Sequence, residues 1–202
     1  RLLGLKVLLV SRCGYSPDLS GPVNDRAVFH VDNAYYLDQV AIRSLRGKTH
    51  TVSNTAFRGF GGPQGIFAIE TVQEDIARYL GLDPLAVRRA NFYGSTPEEG
   101  RNVTHYGMKV EDNVIAPLVA QLAQDADYAR RRDAIAAFNA ASPVIKRGLA
   151  LTPVKFGISF NVKHFNQAGA LVHVYTDGSI LVNHGGTEMG QGLNTKVAQV
   201  VA

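Results

Sequence analysis

Two glycine-rich stretches, each expected to run into the first turn of a helix, constrain this chain of 202 residues more than any other feature. The first is Asn54-Thr55-Ala56-Phe57-Arg58-Gly59-Phe60-Gly61-Gly62-Pro63-Gln64-Gly65. The second is Gly185-Gly186-Thr187-Glu188-Met189-Gly190-Gln191-Gly192. Glycine lets a backbone bend sharply and approach a ligand closely. A helix N-terminus adds N–H groups that suit an anion. A tight strand-to-helix turn would use the same residues, so either stretch alone is a weak signal. Two in one short chain point toward a large anionic cofactor. Three familiar motifs do not fit. A dinucleotide fingerprint needs a preceding apolar strand and Gly or Ala at its third key position, where Gln64 stands, and a phosphate loop needs Gly-Lys-Ser/Thr. Arg58-Gly59-Phe60-Gly61 opens like an RNA-binding strand motif, but Gly62-Pro63 breaks the strand that motif requires.

The alternation of apolar residues supplies the frame around these stretches. Residues 2–10 and 26–32 read as extended, with a loop at 16–22 between them and extended pieces continuing to about Lys48. Ile66, Ile69, Val72, Ile76 and Leu80 fall three or four apart and predict a helix over 63–80, supported by Glu74 and Arg78 at i, i+4. Gly81 should stop it, and Asp83-Pro84 should cap and open a second helix to about Phe92. Further helices are expected at 115–122 and 128–138. Strands are expected to return near Gly148. A hairpin should turn at Asp177-Gly178 between the alternating residues 172–175 and 180–182, and a helix should follow Gly192. The class is α+β, one fragment spanning 1–202 and not divided into independent domains.

Composition narrows the function. The hydrophobic fraction of 46% supports a real core. The formal charge of +4 is spread without a long basic run, which does not by itself imply nucleic acid. The lone Cys13 excludes an internal disulfide and a cysteine-only metal centre. The six histidines show no ligand spacing, which argues against a protein-held zinc. No run reaches the roughly 18 apolar residues of a membrane-spanning helix, and no signal-peptide pattern is present. The chain starts without Met, in a strand, and stops in a helical run, so it is expected to be truncated at both ends. Arg26 stands in an otherwise apolar segment, where an arginine ordinarily snorkels or pairs with a neighbour such as Asp25. Phe60 fits no regular core face, whereas Phe160 reads first as a core residue.

Taken together, residues 54–65 (NTAFRGFGGPQG), 155–173 (KFGISFNVKHFNQAGALVH) and 174–200 resemble the molybdenum-binding large subunit of the xanthine dehydrogenase family. Residues 101–114 (RNVTHYGMKVEDNV) are similar to its bacterial branch. The resemblance covers nearly the whole chain. It implies a cytoplasmic oxidoreductase of purine catabolism in which a molybdopterin-bound hydroxide attacks an electron-poor carbon of xanthine or hypoxanthine. Hydride passes to a sulfido ligand, and electrons leave through [2Fe-2S] clusters and FAD to NAD on other domains or subunits. Arg26 then matches the catalytic substrate arginine, Phe60 the ring that stacks on the purine, and Phe160 the ring that meets it edge-on. Asn161 stands where the family often has Thr and can still donate a hydrogen bond to a purine carbonyl. Arg58 and Gly59 match positions beside the metal, Arg58 through its backbone, while Gly190 and Gln191 match the pterin-contacting loop. The family's catalytic glutamate would lie beyond residue 202, so the fragment alone should be inactive, and Glu188 is not assigned as the base. The partners implied are the purine, the remainder of the large subunit and the iron–sulfur/FAD domains, with no membrane. Two alternatives remain: a molybdenum hydroxylase acting on aldehydes or other N-heterocycles, against which Arg26 speaks for aldehydes, and a non-catalytic nucleic-acid or nucleotide binder.

Overall fold

The apolar alternation near the N-terminus builds β1 (Gly4–Gly14), which pairs in parallel with β2 (Gln39–Lys48), Val7 opposite Ile42 and Val10 opposite Leu45. Parallel strands need a crossover, and α1 (Ser20–Phe29) supplies it. Residues 26–32, expected as extended, therefore begin in the last turn of a helix, and the expected loop at 16–22 already contains its start. The reason lies in what α1 buries, namely Ser20, Asn24, Arg26 and Ala27. A helix whose hidden face is largely polar leaves no apolar stripe to read. Asn24 fastens it to the sheet, its amide donating to the Leu45 carbonyl and its oxygen accepting from the Ser11 hydroxyl.

The computed structural model describes residues 1–96 and 98–202, which divide into two units, Arg1–Phe156 and Gly157–Ala202. In the first unit the predicted helices follow in order: α2 (Gly62–Leu80), α3 (Pro84–Asn91), α4 (Ile115–Asp125) and α5 (Tyr128–Ala141). Gly81 ends α2 in the left-handed conformation at φ 64°. The Asp83 carboxylate caps α3 by accepting from the N–H groups of Leu85 and Ala86 at 2.9 and 3.1 Å. The expected Glu74–Arg78 pair does not form. Arg78 meets Asp75, and Glu74 turns to Arg88 on α3. Ala34, Tyr35, Leu37, Ile69, Leu85, Phe92, Val119, Tyr128 and Leu151 form the core of this unit.

A polar network runs through the same core. Glu70 accepts from Asn33 Nδ2 at 2.8 Å, from the Tyr35 hydroxyl and from Arg88 Nε at 2.7 Å. The strands expected near Gly148 are absent: among the described residues, no strand forms between Gly148 and Ala170. Side chains take the place of a neighbouring strand here. Asn33 donates to the Pro153 carbonyl at 2.9 Å and accepts from the Lys155 N–H at 3.0 Å, closing both sides of that segment.

In the second unit, β3 (Ala170–Val174) and β4 (Ile180–His184) form the expected antiparallel hairpin, Val172 opposite Val182. Asp177 accepts from the Ser179 N–H and hydroxyl to shape the turn. The glycine loop leads from β4 into α6 (Leu193–Val201). Among the described residues, no helix is long and apolar enough to cross a membrane.

Candidate cofactor and substrate site

The first glycine stretch is a turn of unusual backbone. Gly59, Phe60 and Gly61 have φ of 93°, 52° and 97° in succession. Glycine takes these angles without penalty, whereas a bulky phenylalanine does not. Strain of this kind persists only where the surroundings over-determine it. Here the surroundings are α1. A Cβ on Gly61 would lie 1.9 Å from the Val23 carbonyl oxygen, and one on Gly65 would lie 2.3 Å from that of Ala27. The first turn of α2 thus meets the backbone of α1 directly, and Phe60 is presented at the joint.

This contact brings together Arg26 and the stretch bearing Arg58, Gly59 and Phe60. Arg26 is buried, 5% exposed, on the last turn of α1, and burial holds its guanidinium below the ordinary value. Asp25, its sequence neighbour, pairs instead with Arg46. The Phe156 ring lies 5.4 Å from the Arg26 guanidinium carbon. The same ring fills the space that Gly62 leaves, where a Cβ would come within 2.4 Å of it, and it touches the His30 ring at 4.9 Å. His30 donates from Nδ1 to the Arg26 carbonyl at 3.0 Å, and its burial lowers its pKa. Sequence reasoning passed over both Phe156 and His30. Phe156 lies in the motif at 155–173, in which Phe160 was the residue given a role.

The second unit carries Phe160, Asn161, Gly190 and Gln191. Asn166 holds Phe160 in place, its oxygen accepting from the Phe160 N–H at 2.7 Å and its amide donating to the Phe160 carbonyl. The Phe160 ring stacks on Phe165 with centroids 6.0 Å apart. In the loop, Glu188 gathers main-chain donors. Its carboxylate accepts from Gly190 at 2.7 Å and from Gly192 and Asn194 at 3.2 Å each. These N–H groups, that of Asn194 foremost, lower the Glu188 pKa. Gln191 folds back on the same loop, accepting from the Met189 N–H at 2.6 Å and donating to the Thr187 carbonyl at 2.8 Å. The donor set suits an oxyanion, because it already converges on one, and the space beside Gly192 is open. Residues of this kind fit a phosphate or the polar edge of a pterin.

Two family models, each described as a molybdopterin cofactor-binding domain, match residues 1–92 and 121–202. The chain belongs to the molybdopterin cofactor-binding domain family. Its curated relatives are xanthine dehydrogenases and their kin: the xanthine dehydrogenase/oxidase of Gallus gallus is 47% identical over 202 residues, covering 100% of this chain and 14% of that protein. A nicotinate hydroxylase of Emericella nidulans is 45% identical over 203 residues, covering 100% of this chain and 15% of that protein. The chain therefore spans only about a seventh of these relatives' length, 14% and 15%. Among solved structures, the reconstituted CO dehydrogenase from Oligotropha carboxidovorans superposes with a TM-score of 0.67 at 18% identity, covering 99% of this chain and 26% of that one. This likeness establishes the fold alone.

Proposed function

We propose that this chain is the part of a molybdenum hydroxylase that orients a purine, xanthine or hypoxanthine, against its cofactor, within a single fragment of the molybdopterin-binding region. The observation that carries the reading is the buried Arg26 on a helix whose backbone meets the strained turn bearing Phe60. When bound, molybdopterin supplies the centre that delivers oxygen to the substrate carbon and takes up two electrons. The chain's own residues do the rest. Arg26 faces the negative charge that builds on the purine during attack, a role strongest in the transition state. Phe60 stacks on the ring and Phe160 meets its edge, the two preferred aromatic geometries. Asn161 donates to a ring carbonyl. Arg58 and Gly59 lie by the metal through their backbone, Gly190 allows close approach to the pterin, and Gln191 offers it one donor and one acceptor. The [2Fe-2S] clusters, FAD and NAD belong to other domains or subunits of a cytoplasmic enzyme, and the isolated chain should not oxidise xanthine.

The test is Arg26→Ala in the intact parent protein. Turnover of xanthine should fall by about 2.7–4 kcal/mol in activation energy with a smaller change in KM, as when a transition-state donor is removed. Arg26→Lys should recover part of it, since only guanidinium holds two acceptors in one plane. A raised KM with unchanged kcat would refute the role. The nicotinate hydroxylase relative supports a second reading, in which Arg26 faces the carboxylate of another N-heterocycle. Turnover of nicotinate in preference to xanthine by the parent protein would establish that reading instead.

A further inference from the structure

Resting on that reading of Arg26, we propose that Phe156 is a positioning residue for the substrate arginine, holding its guanidinium from one side while Asn33 and Asp32 hold Phe156. Three independent contacts converge on its ring. The Arg26 guanidinium carbon lies 5.4 Å from its centroid, the His30 ring 4.9 Å from it, and Gly62 is bare of a side chain where the ring edge sits. Arginine stacks on aromatic faces because the ring's negative face meets a weakly hydrated planar cation. A guanidinium held by one face has the orientation of its plane fixed, and its N–H donors lie in that plane.

The ring is not held by core packing, being 38% exposed. It is held through the chain just before it. Asn33, fully buried and left-handed at φ 45°, takes hold of that chain at two points, donating to the Pro153 carbonyl and accepting from the Lys155 N–H. Lys155 Nζ, one residue from Phe156, meets the fully buried Asp32 carboxylate at 2.9 Å, where the Tyr93 hydroxyl also donates at 2.6 Å. Only Val31 separates Asp32 and Asn33 from His30, the C-cap of α1. One short stretch of chain therefore fixes both Arg26, through the helix, and Phe156, through the clamp.

The experiment uses the intact parent protein with xanthine as the probe. Phe156→Leu and Phe156→Met remove the aromatic face and keep apolar bulk. Phe156→Tyr retains the face. Arg26→Lys is made alone and combined with Phe156→Leu. For Phe156→Leu and Phe156→Met, kcat should fall by roughly tenfold to a hundredfold, the scale of an ångström's misplacement, with KM changed less than threefold and melting temperature and molybdenum content unaltered. Phe156→Tyr should stay within about threefold of wild type. The double variant should be little worse than Arg26→Lys alone, because contacting residues that act as a unit are not additive. Wild-type kcat in Phe156→Leu and Phe156→Met beside an impaired Arg26→Lys would overturn the role of Phe156 and leave that of Arg26 standing. Equal damage in all three Phe156 variants, or losses that simply add in the double variant, would also overturn it. Wild-type kcat in Arg26→Lys would instead remove the reading on which the inference rests.

Discussion

Glu70→Gln offers the sharpest test of how the first unit is held together. The Glu70 carboxylate accepts three hydrogen bonds on two oxygens: from Asn33 and Tyr35 on one, and from Arg88 on the other, with Arg88 only 3% exposed. A glutamine amide has one oxygen and one NH2 group. Whichever way it turns, its NH2 faces a buried donor, and the Arg88 charge loses its near partner. Arg88 keeps Glu74 at 3.2 Å, a carboxylate whose own side chain is 40% exposed and so screened. Breaking a buried pair costs about 3–5 kcal/mol, and the surviving contact places the expected loss near the lower end, about 3 kcal/mol. The chain has no Trp and eight Tyr, so near-ultraviolet circular dichroism during urea unfolding reports on tyrosines, including Tyr35 at the network. With m of about 1–3 kcal/mol/M, the midpoint should fall by roughly 1–3 M at unchanged m. Adding Arg88→Met should recover much of the loss, since removing both charges leaves none buried alone. A midpoint shift under about 0.3 M, or a double variant that loses the sum of both singles, would refute the argument.

Three further outcomes follow from the geometry. Gly65→Ala should destabilise the first unit by about 1–3 kcal/mol, the usual cost of overpacking, because the new methyl meets the Ala27 carbonyl of α1, while Gly81→Ala, with open space around it, should cost only the left-handed strain of about 1–2 kcal/mol; parallel urea titrations compare them. Glu188, held below its ordinary value of 4.5 by N–H donors, should give the loop an ordering contribution that is full above that pH and vanishes as pH falls through the lower folded value. Amide shifts of Gly190, Gly192 and Asn194 should report that titration, and Glu188→Gln should abolish it; a midpoint at or above 4.5 would contradict the reading. Gln191→Leu in the parent protein should lower molybdenum content while loaded molecules keep near-normal xanthine affinity, and elemental analysis beside a xanthine titration decides it; full occupancy with weakened xanthine binding would move Gln191 to the substrate side.

What the sequence disclosed depended on whether an element hides apolar or polar residues. The helix α2 declared itself because Ile69, Val72 and Ile76 recur at helical spacing, and α3 because Asp83-Pro84 is a local cap that needs no tertiary partner. The hairpin was equally legible, its turn being set by Asp177-Gly178 alone. By contrast α1 was invisible: its buried Asn24 and Arg26 are chosen for hydrogen bonds and charge, which periodicity does not record. The segment after Gly148 was expected to return to strands and forms none before Ala170, because its partners are the side chains of Asn33 and Asn166. The same distinction runs through the candidate site. The glycine turns could be found from composition, but the ring of Phe156 over Arg26 joins residues 130 positions apart (156 against 26), brought together by the contacts of Asn33 and Asp32.

The left-handed backbone at Phe60 sets stability and activity against each other. Glycine would sit there at ease, relieving about 1–2 kcal/mol, so the residue that best suits the backbone is the one without a ring. Selection for folding alone would therefore erode this position, and a library screened only for soluble, heat-resistant protein should drift toward glycine at 60. A screen that also demands turnover should refuse it. The amino acid recovered at that position under each regime would reveal what the turn is kept for.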